Sequence, residues 1–280
     1  MSLKRLRLPN GLIVHGLSRP DTLLVYREIF EEHAYRRHGI AVRDGDCVFD
    51  VGANAGLFAI YLNRLCRPAR VLAFEPVPQV YAALRRNLAL HGCGNVQPLN
   101  VGLGRRPGQA TFVYYPRMSC TSTMYPDESA AEAARGRDFV LGEFHRQVWP
   151  LRLVLDVCPR SVRSFLAERV RRFYRHGRPV VCALTTLSDV IHAHRVERID
   201  LLKIDVERSE EDVLAGLAAE DWPRVRQLVV EVHQDEPAVQ AFGRGLAARG
   251  FRVAVESAGQ DSRFLLYATR TTEEGMKDEG

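Results

Sequence analysis

The residues able to do chemistry fall at the ends of four apolar runs. VFDVGANAG (residues 48–56) carries Asp50, Gly52, Ala53, Asn54 and Gly56. VLAFEP (71–76) ends in Glu75 and Pro76, IDLLKIDVE (199–207) in Asp205 and Glu207, and LVVEVH (228–233) in Glu231 and His233. In the first run, β-branched residues meet a glycine-rich turn and then an apolar-periodic segment opening at Leu57, the pattern of a buried strand, a tight turn and a helix. The start of such a helix leaves N–H groups unpaired, which suits a small anion, and Gly52 and Gly56 remove side chains that would block its approach. The spacing G-x-x-x-G departs from the G-x-G-x-x-G of dinucleotide-binding turns and puts a dinucleotide in second place. Glu75 follows about 20 positions on, at the carboxyl end of its strand, where an acidic residue can accept both hydroxyls of a ribose. Asp50 toward an ammonium, helix N–H groups toward a carboxylate and Glu75 on a ribose together describe S-adenosyl-L-methionine. The plainer alternative is an α/β core in which Asp50 only caps a helix.

For one ligand to meet all these residues, the strands must lie side by side with their carboxyl ends together, as in an open α/β sheet. Other stretches supply the surroundings. Residues 3–17 alternate about Pro9-Asn10-Gly11, a hairpin signal, and Asp21 precedes an amphipathic run over 23–35 that predicts a helix beside the cofactor site. His33 and His38 belong to its solvated face. Residues 79–90 predict a helix and 96–101 a third strand, which places Asn100, Val101 and Gly102 beside an adenine; Asn100 either bonds the adenine edge or fixes the turn. Residues 111–115 predict a strand leading into a hydroxyl-rich run over 118–125 that reads by itself as a polar loop.

From 126 to 180 the composition shifts to Ala and Arg with four prolines. Within it Val162, Phe165, Leu166, Val170, Phe173 and Tyr174 recur at helical spacing, with Arg163, Arg169, Arg171, Arg172 and Arg175 on the other positions, so a helix with a basic outer face is predicted. An insert of this length is placed to be a lid over the substrate mouth. Residues 251–255 and 264–268 read as a closing antiparallel pair.

VFDVGANAG, VLAFEP, IDLLKIDVE and LVVEVH, with FVYYPRMSCTSTMY (112–125), resemble the FkbM-type family of S-adenosylmethionine-dependent O-methyltransferases, in the branch that tailors polyketides and non-ribosomal peptides. The likeness covers residues 8–268, least well across the insert. It implies a class I methyltransferase fold: a Rossmann-like open α/β sheet, mostly parallel with an antiparallel C-terminal strand, plus the N-terminal hairpin and helix (1–40) and the helical lid insert (126–180), in one domain over 1–280. It also implies methylation of an alcohol oxygen, and a Ser/Thr segment near the cofactor that makes Thr121, Ser122 and Thr123 pocket candidates; the basic lid helix is a solvated face or else the surface that receives an acyl carrier protein bearing a hydroxyacyl natural-product intermediate. Many such relatives carry Gly after the acidic residue matching Glu207; here Arg208 adds a long cation beside the mouth.

An alcohol holds its proton tightly, so methyl transfer to it needs a base. His233 is the first candidate, since an unperturbed imidazole accepts a proton near neutrality, with Glu231 two residues earlier on the same face to orient it. Asp205 would shape the methyl pocket or hold the hydroxyl. A divalent cation on Asp205, Glu207, Glu231 and His233 is the second reading, behind metal-independent catalysis. A sugar hydroxyl as acceptor, and a cofactor-binding scaffold without turnover, are the competing functions.

Composition sets outer bounds. The chain has 280 residues, 46% of them hydrophobic, enough for one full core, with no apolar run of membrane-spanning length and no signal-type segment after its basic start. A cytoplasmic protein without membrane contact is therefore expected. Its six cysteines stand singly, which argues against a zinc site. The net charge of +5 would suit nucleic acid, but only three of the 39 basic residues are Lys, an arginine bias that coding composition produces by itself. IDVER also stands where base-modifying enzymes place an N-P-P-Y-like turn, so no nucleic-acid partner is expected.

Overall fold

Strands β1 (Lys4–Arg7) and β2 (Ile13–Gly16) pair antiparallel across the Pro9-Asn10-Gly11 turn. The computed structural model describes residues 3–127, 129–144, 159–257 and 263–271. Helix α1 (Arg19–Tyr26) then widens into a π-helical turn, Arg27–Glu31, closed by Glu32 N–H donating to Arg27 O at 2.9 Å, and a 3₁₀ turn follows at Ala34–Arg36. The continuous helix expected over 23–35 is thus three pieces. Asp21 lies inside the helix rather than ahead of it, buried, and accepts from Ser119 Oγ (2.7 Å) and Cys120 N (3.1 Å). His33 and His38 are exposed and lie 2.8 Å and 3.0 Å from Tyr61 and Glu256.

The four chemistry-bearing runs form adjacent parts of one sheet. After β3 (Cys47–Val51) come α2 (Leu57–Leu65), β4 (Arg70–Phe74), α3 (Pro78–Leu90) and β5 (Val96–Leu99). The chain next builds β6 (Gly102–Leu103), β7 (Gly108–Tyr114), α4 (Ala130–Phe139), α5 (Arg160–Tyr174) and β8 (Arg178–Thr185). It ends with α6 (Leu187–Ala193), β9 (Leu201–Ile204), α7 (Glu210–Ala215), β10 (Gln227–Val232), α8 (Glu236–Ala247), β11 (Phe251–Ser257) and β12 (Phe264–Arg270). The seven-stranded order is β11-β12-β10-β9-β3-β4-β5, parallel from β10 to β5, with β12 antiparallel to both its neighbours.

Burial explains why these runs are strands: every residue of β9 is buried, as are the last four of β3 and of β4, as expected of parallel strands covered on both faces. Each fully buried Val, Leu or Phe contributes about 1.5–3 kcal/mol. Among the described residues no helix is long and apolar enough to cross a membrane.

Two arrangements differ from the sequence reading. The third strand stops at Leu99, because Asn100 turns to donate its amide to Glu75 O (2.8 Å) and Pro76 O (2.9 Å). The strand after it joins a separate three-stranded sheet, β6-β8-β7, which flanks the insert. Residues 145–158, including Cys158 and Pro150, lie outside the described set.

The first crossover is tight. Gly52 has φ +82°, and a Cβ there would stand 1.8 Å from Asp205 O, so the turn after β3 touches the end of β9 backbone to backbone. Gly56, at φ +83°, gives way to Leu84 of α3, whose Cδ1 would be 2.6 Å from a Cβ. Both glycines serve this close packing, and Gly52 also lines the cavity described below. Gly52→Ala should lower stability by about 1–3 kcal/mol through its strained φ alone, and more through the overlap; urea denaturation monitored by circular dichroism checks this.

Candidate functional site

A cavity of about 460 Å³ opens at the carboxyl ends of β3, β4, β9 and β10. Of the residues expected at the cofactor, Gly52, Ala53, Asn54, Leu57, Glu75, Pro76, Val101, Gly102 and Asp205 line it. Asp50, Gly56 and Asn100 do not. Asp50 is fully buried within β3 on the face it shares with Val48, and the ammonium beside it is Lys203, whose Nζ lies 3.1 Å from Asp50 Oδ1. The expectation that Asp50 faces a ligand ammonium is therefore corrected. The same Nζ donates to Gly52 O at 3.1 Å and reaches Asp205 Oδ2 at 3.4 Å, joining β3, its turn and β9.

The N–H groups of the turn are mostly spent. Gly52 and Ala53 donate to Phe74 O, Asn54 to Glu75 Oε2 at 3.1 Å, Ala55 to the Asn54 side chain, and Gly56 to Ala53 O. What stays open to an anion is the first turn of α2, from Leu57 onward. Glu75 accepts a second bond, from Val77 N at 2.9 Å, so its carboxylate is fixed while each oxygen keeps further acceptor capacity. Burial pushes Glu75 up to about 7 against the pull of those two N–H groups.

One wall of the cavity is an acid cluster around a single histidine. His233 Nδ1 is 3.2 Å from Glu210 Oε1, and its Nε2 is 3.4 Å from Glu231 Oε1 and 3.5 Å from Glu207 Oε2. Burial alone would lower its pKa, but Glu207, Glu210 and Glu231 outweigh that and hold it well above the usual imidazole value. An imidazolium with a carboxylate at each nitrogen has no lone pair for a substrate proton, so this arrangement favours a carboxylate over His233 as the base. Glu231 is held below its ordinary value: burial would raise it, but His233 and Arg263 prevail. Glu207 is pushed up to about 7 by burial, against His233. Among the described residues no group of three or more His, Cys, Asp or Glu side chains is arranged to hold a metal ion.

The insert roofs the cavity with Glu132, Arg135 and Phe139 of α4 and Arg171 and Tyr174 of α5, while Ser119, Thr121, Ser122 and Thr123 line its side. Arg208 ties roof to floor. It sits at φ +74° beside Glu207 at +42°, and its guanidinium reaches Asp127 and Glu132, each at 2.8 Å. Thr123 Oγ1 donates to Glu207 O at 2.6 Å on the same turn. The basic outer face expected of α5 is divided: Arg171 pairs with Glu168 at 2.8 Å and Arg175 with Glu132 at 2.5 Å toward the cavity, whereas Arg172, exposed, pairs with Glu168 at 2.7 Å and Arg169 is exposed beside Phe165.

Residues 50–253 match the methyltransferase FkbM domain. The chain belongs to the FkbM methyltransferase family. It is 35% identical to the 31-O-demethyl-FK506 methyltransferase FkbM of Streptomyces tacrolimicus, over 91% of each protein. It is 36% identical to a segment of the AMB antimetabolite synthetase AmbE of Pseudomonas aeruginosa, covering 94% of this chain and 12% of that one. The crystal structure of an FkbM methyltransferase from Methylobacillus flagellatus shares the fold, with a TM-score of 0.52 at 13% identity, over 87% of this chain and 47% of that one. An FkbM-family chain is a methyltransferase whose methyl donor is S-adenosyl-L-methionine, and the residues fit it: a cavity of about 460 Å³ leaves room for a nucleoside, and a buried carboxylate with spare acceptor capacity stands in its wall.

Lys203, Tyr35, Glu28 and Glu210 take part in this site without having been singled out in the sequence. Only Lys203 left a signal, a cation in the otherwise apolar LLKI strand between two acidic positions, since buried charges are almost always paired. Burial lowers the Lys203 pKa, but Asp50 and Asp205 override it and keep the ammonium charged. Lys203→Ala, which strands Asp50 uncompensated, should cost about 3–5 kcal/mol, read as a lowered midpoint in chemical denaturation.

Proposed function

We propose that this protein transfers a methyl group from S-adenosyl-L-methionine to a hydroxyl of a polyketide or related natural-product intermediate, received as a thioester on an acyl carrier protein. The observation that carries the choice of oxygen is Glu207: a cavity-lining carboxyl poised near 7 is matched to removing an alcohol proton at neutral pH. The name of the S. tacrolimicus relative, a 31-O-demethyl-FK506 methyltransferase, supports a hydroxyl acceptor, and alignment with a segment of the AmbE synthetase supports an assembly-line setting.

In this reading Glu75 accepts the ribose hydroxyls, the first turn of α2 faces the donor's carboxylate, and Val101 and Gly102 border the adenine. The bound sulfonium supplies an electrophilic methyl and a neutral thioether leaving group. Asp205 orients the acceptor hydroxyl, and Glu207 takes its proton as the oxygen–methyl bond forms. His233, as imidazolium, holds Glu207 in place and balances Glu210 and Glu231. On the outside of the lid, Arg169 and Arg172 with the exposed Phe165 and Phe173 offer a basic, apolar face to an acidic carrier.

Purified protein with methyl-labelled donor and a panel of hydroxyacyl thioesters, free and carrier-bound, tests the reading through label incorporation into oxygen. Glu207→Gln should lower turnover by about 10²–10⁴-fold, and wild-type turnover should fall as pH drops below about 7, where Glu207 takes up its proton. Arg169→Glu with Arg172→Glu should slow only the carrier-bound substrate.

Glu75 adds a second pH dependence. It must be ionised to accept two hydroxyls, so affinity for S-adenosylhomocysteine should weaken by up to about tenfold per pH unit below about 7. Calorimetric titration should show that step vanish, along with most of the affinity, in Glu75→Gln.

A further inference from the structure

Tyr35 is 2% exposed and holds its hydroxyl between two carboxyl groups, 2.8 Å from Glu28 Oε1 and 3.0 Å from Asp205 Oδ2. One phenol brings one proton, yet two oxygen–oxygen contacts at these distances need two. The second proton must sit on Glu28 or on Asp205. Burial raises the Asp205 pKa, but less than that of Glu28, because Lys203 Nζ, 3.4 Å from Asp205 Oδ2 and 5.0 Å from the centre of the Tyr35 ring, pulls Asp205 toward its ionised form. Glu28 faces Tyr35 from the neighbouring turn, Lys203 and Asp205 at β9, Glu231 from β10, which it also meets in a side-chain hydrogen bond, and Arg263 ahead of β12. The groups facing it include two carboxylates, and burial with those charges raises its pKa well above the ordinary value.

Glu28 owes this position to the π-helical turn Arg27–Glu31. That wider turn buries Ile29 and sets Glu28 in the cavity wall, the kind of helical irregularity that recurs at functional sites.

We propose that Glu28 is a positioning residue that works as a neutral carboxylic acid. It donates to the Tyr35 oxygen, Tyr35 in turn donates to Asp205 Oδ2, and Asp205 is thereby fixed as a carboxylate. Both contacts on Asp205 fall on Oδ2, and among the described residues Oδ1 accepts no hydrogen bond, so Oδ1 is the atom left to orient the acceptor hydroxyl. This role for Asp205 rests on the hydroxyl-methylating reading above; the protonation of Glu28 and the direction of the Glu28–Tyr35–Asp205 chain stand apart from it.

The test uses the full chain and three variants: Glu28→Gln, whose amide keeps a donor, Glu28→Ala, which has none, and Tyr35→Phe. Folding of each is checked by thermal melting and by binding of S-adenosylhomocysteine. At pH 7 the infrared difference between wild type and Glu28→Gln should contain the carbonyl stretch of a protonated carboxylic acid, and absence of that band overturns the proposal with no acceptor needed. With the acceptor from the thioester panel, Glu28→Gln should stay within about threefold of wild-type kcat, while Glu28→Ala and Tyr35→Phe lose roughly tenfold or more in kcat with little change in KM for the donor. Glu28→Gln as impaired as Glu28→Ala would mean that Glu28 acts as an anion, and overturns it. If Glu28→Ala does not fold, Glu28→Gln against Tyr35→Phe still decides. Loss of the band refutes the neutral acid; a band present without transfer to any hydroxyl refutes the hydroxyl reading instead.

Discussion

The structure turns on one ammonium buried in the middle of the sheet. Lys203 rises from a strand whose other residues are all aliphatic and meets Asp50, the Gly52 carbonyl and Asp205 within 3.4 Å. Removing two charges from water costs several kcal/mol each, and their attraction repays this only when the geometry is fixed from all sides. Here it is fixed: Gly52 lets the turn after β3 lie directly on the Asp205 carbonyl, and Tyr35 and Phe58 close over the Nζ at 5.0 and 5.8 Å. The pair contributes less to stability than to register. It locks the ends of β3 and β9 at the height where a ligand crossing the sheet must meet both.

From this lock the two halves of the site diverge in electrostatic character. On the donor side the backbone dominates, with N–H groups already committed to each other and a single carboxylate, Glu75, held by two of them. On the acceptor side carboxyls crowd together: Glu28, Asp205, Glu207, Glu210 and Glu231 share Lys203, His233 and Arg263. Acids so close cannot all ionise, and the cluster settles by splitting their proton affinities, Glu231 downward and Glu28 and Glu207 upward. Groups with separated affinities are what acid–base chemistry at neutral pH requires.

Much of the fold was legible because its signals are local. The apolar runs of β3, β4, β9 and β10, the prolines and glycines that end them, and the closing antiparallel pair all depend on residues within a few positions of each other. What could not be read depends on partners far apart in the chain. Asp50 was read as facing a ligand because nothing near it in sequence announces Lys203, more than 150 positions on. His233 reads as a base from its ordinary proton affinity, which Glu207 and Glu210 of the segment after β9, together with Glu231 of its own strand, raise. Asn100 bonds back to Glu75 and Pro76, ending a strand that periodicity alone would prolong. The π-helical turn that sets Glu28 into the cavity has no sequence mark, because its apolar spacing is that of a common helix with one extra residue.

Arg208 stands where a glycine would make the turn without strain, and its φ of +74° carries a cost of about 1–3 kcal/mol. What it gains is a grip on Asp127 and Glu132, so the roof of the cavity and the carboxylate at its floor are adjacent links of one short piece of chain. A displacement of the roof would therefore be transmitted to the peptide carrying Glu207. In the proposed reaction this would couple opening of the site to alignment of the carboxylate that takes the proton, and the partly exposed ion pairs that join the two weaken as ionic strength rises.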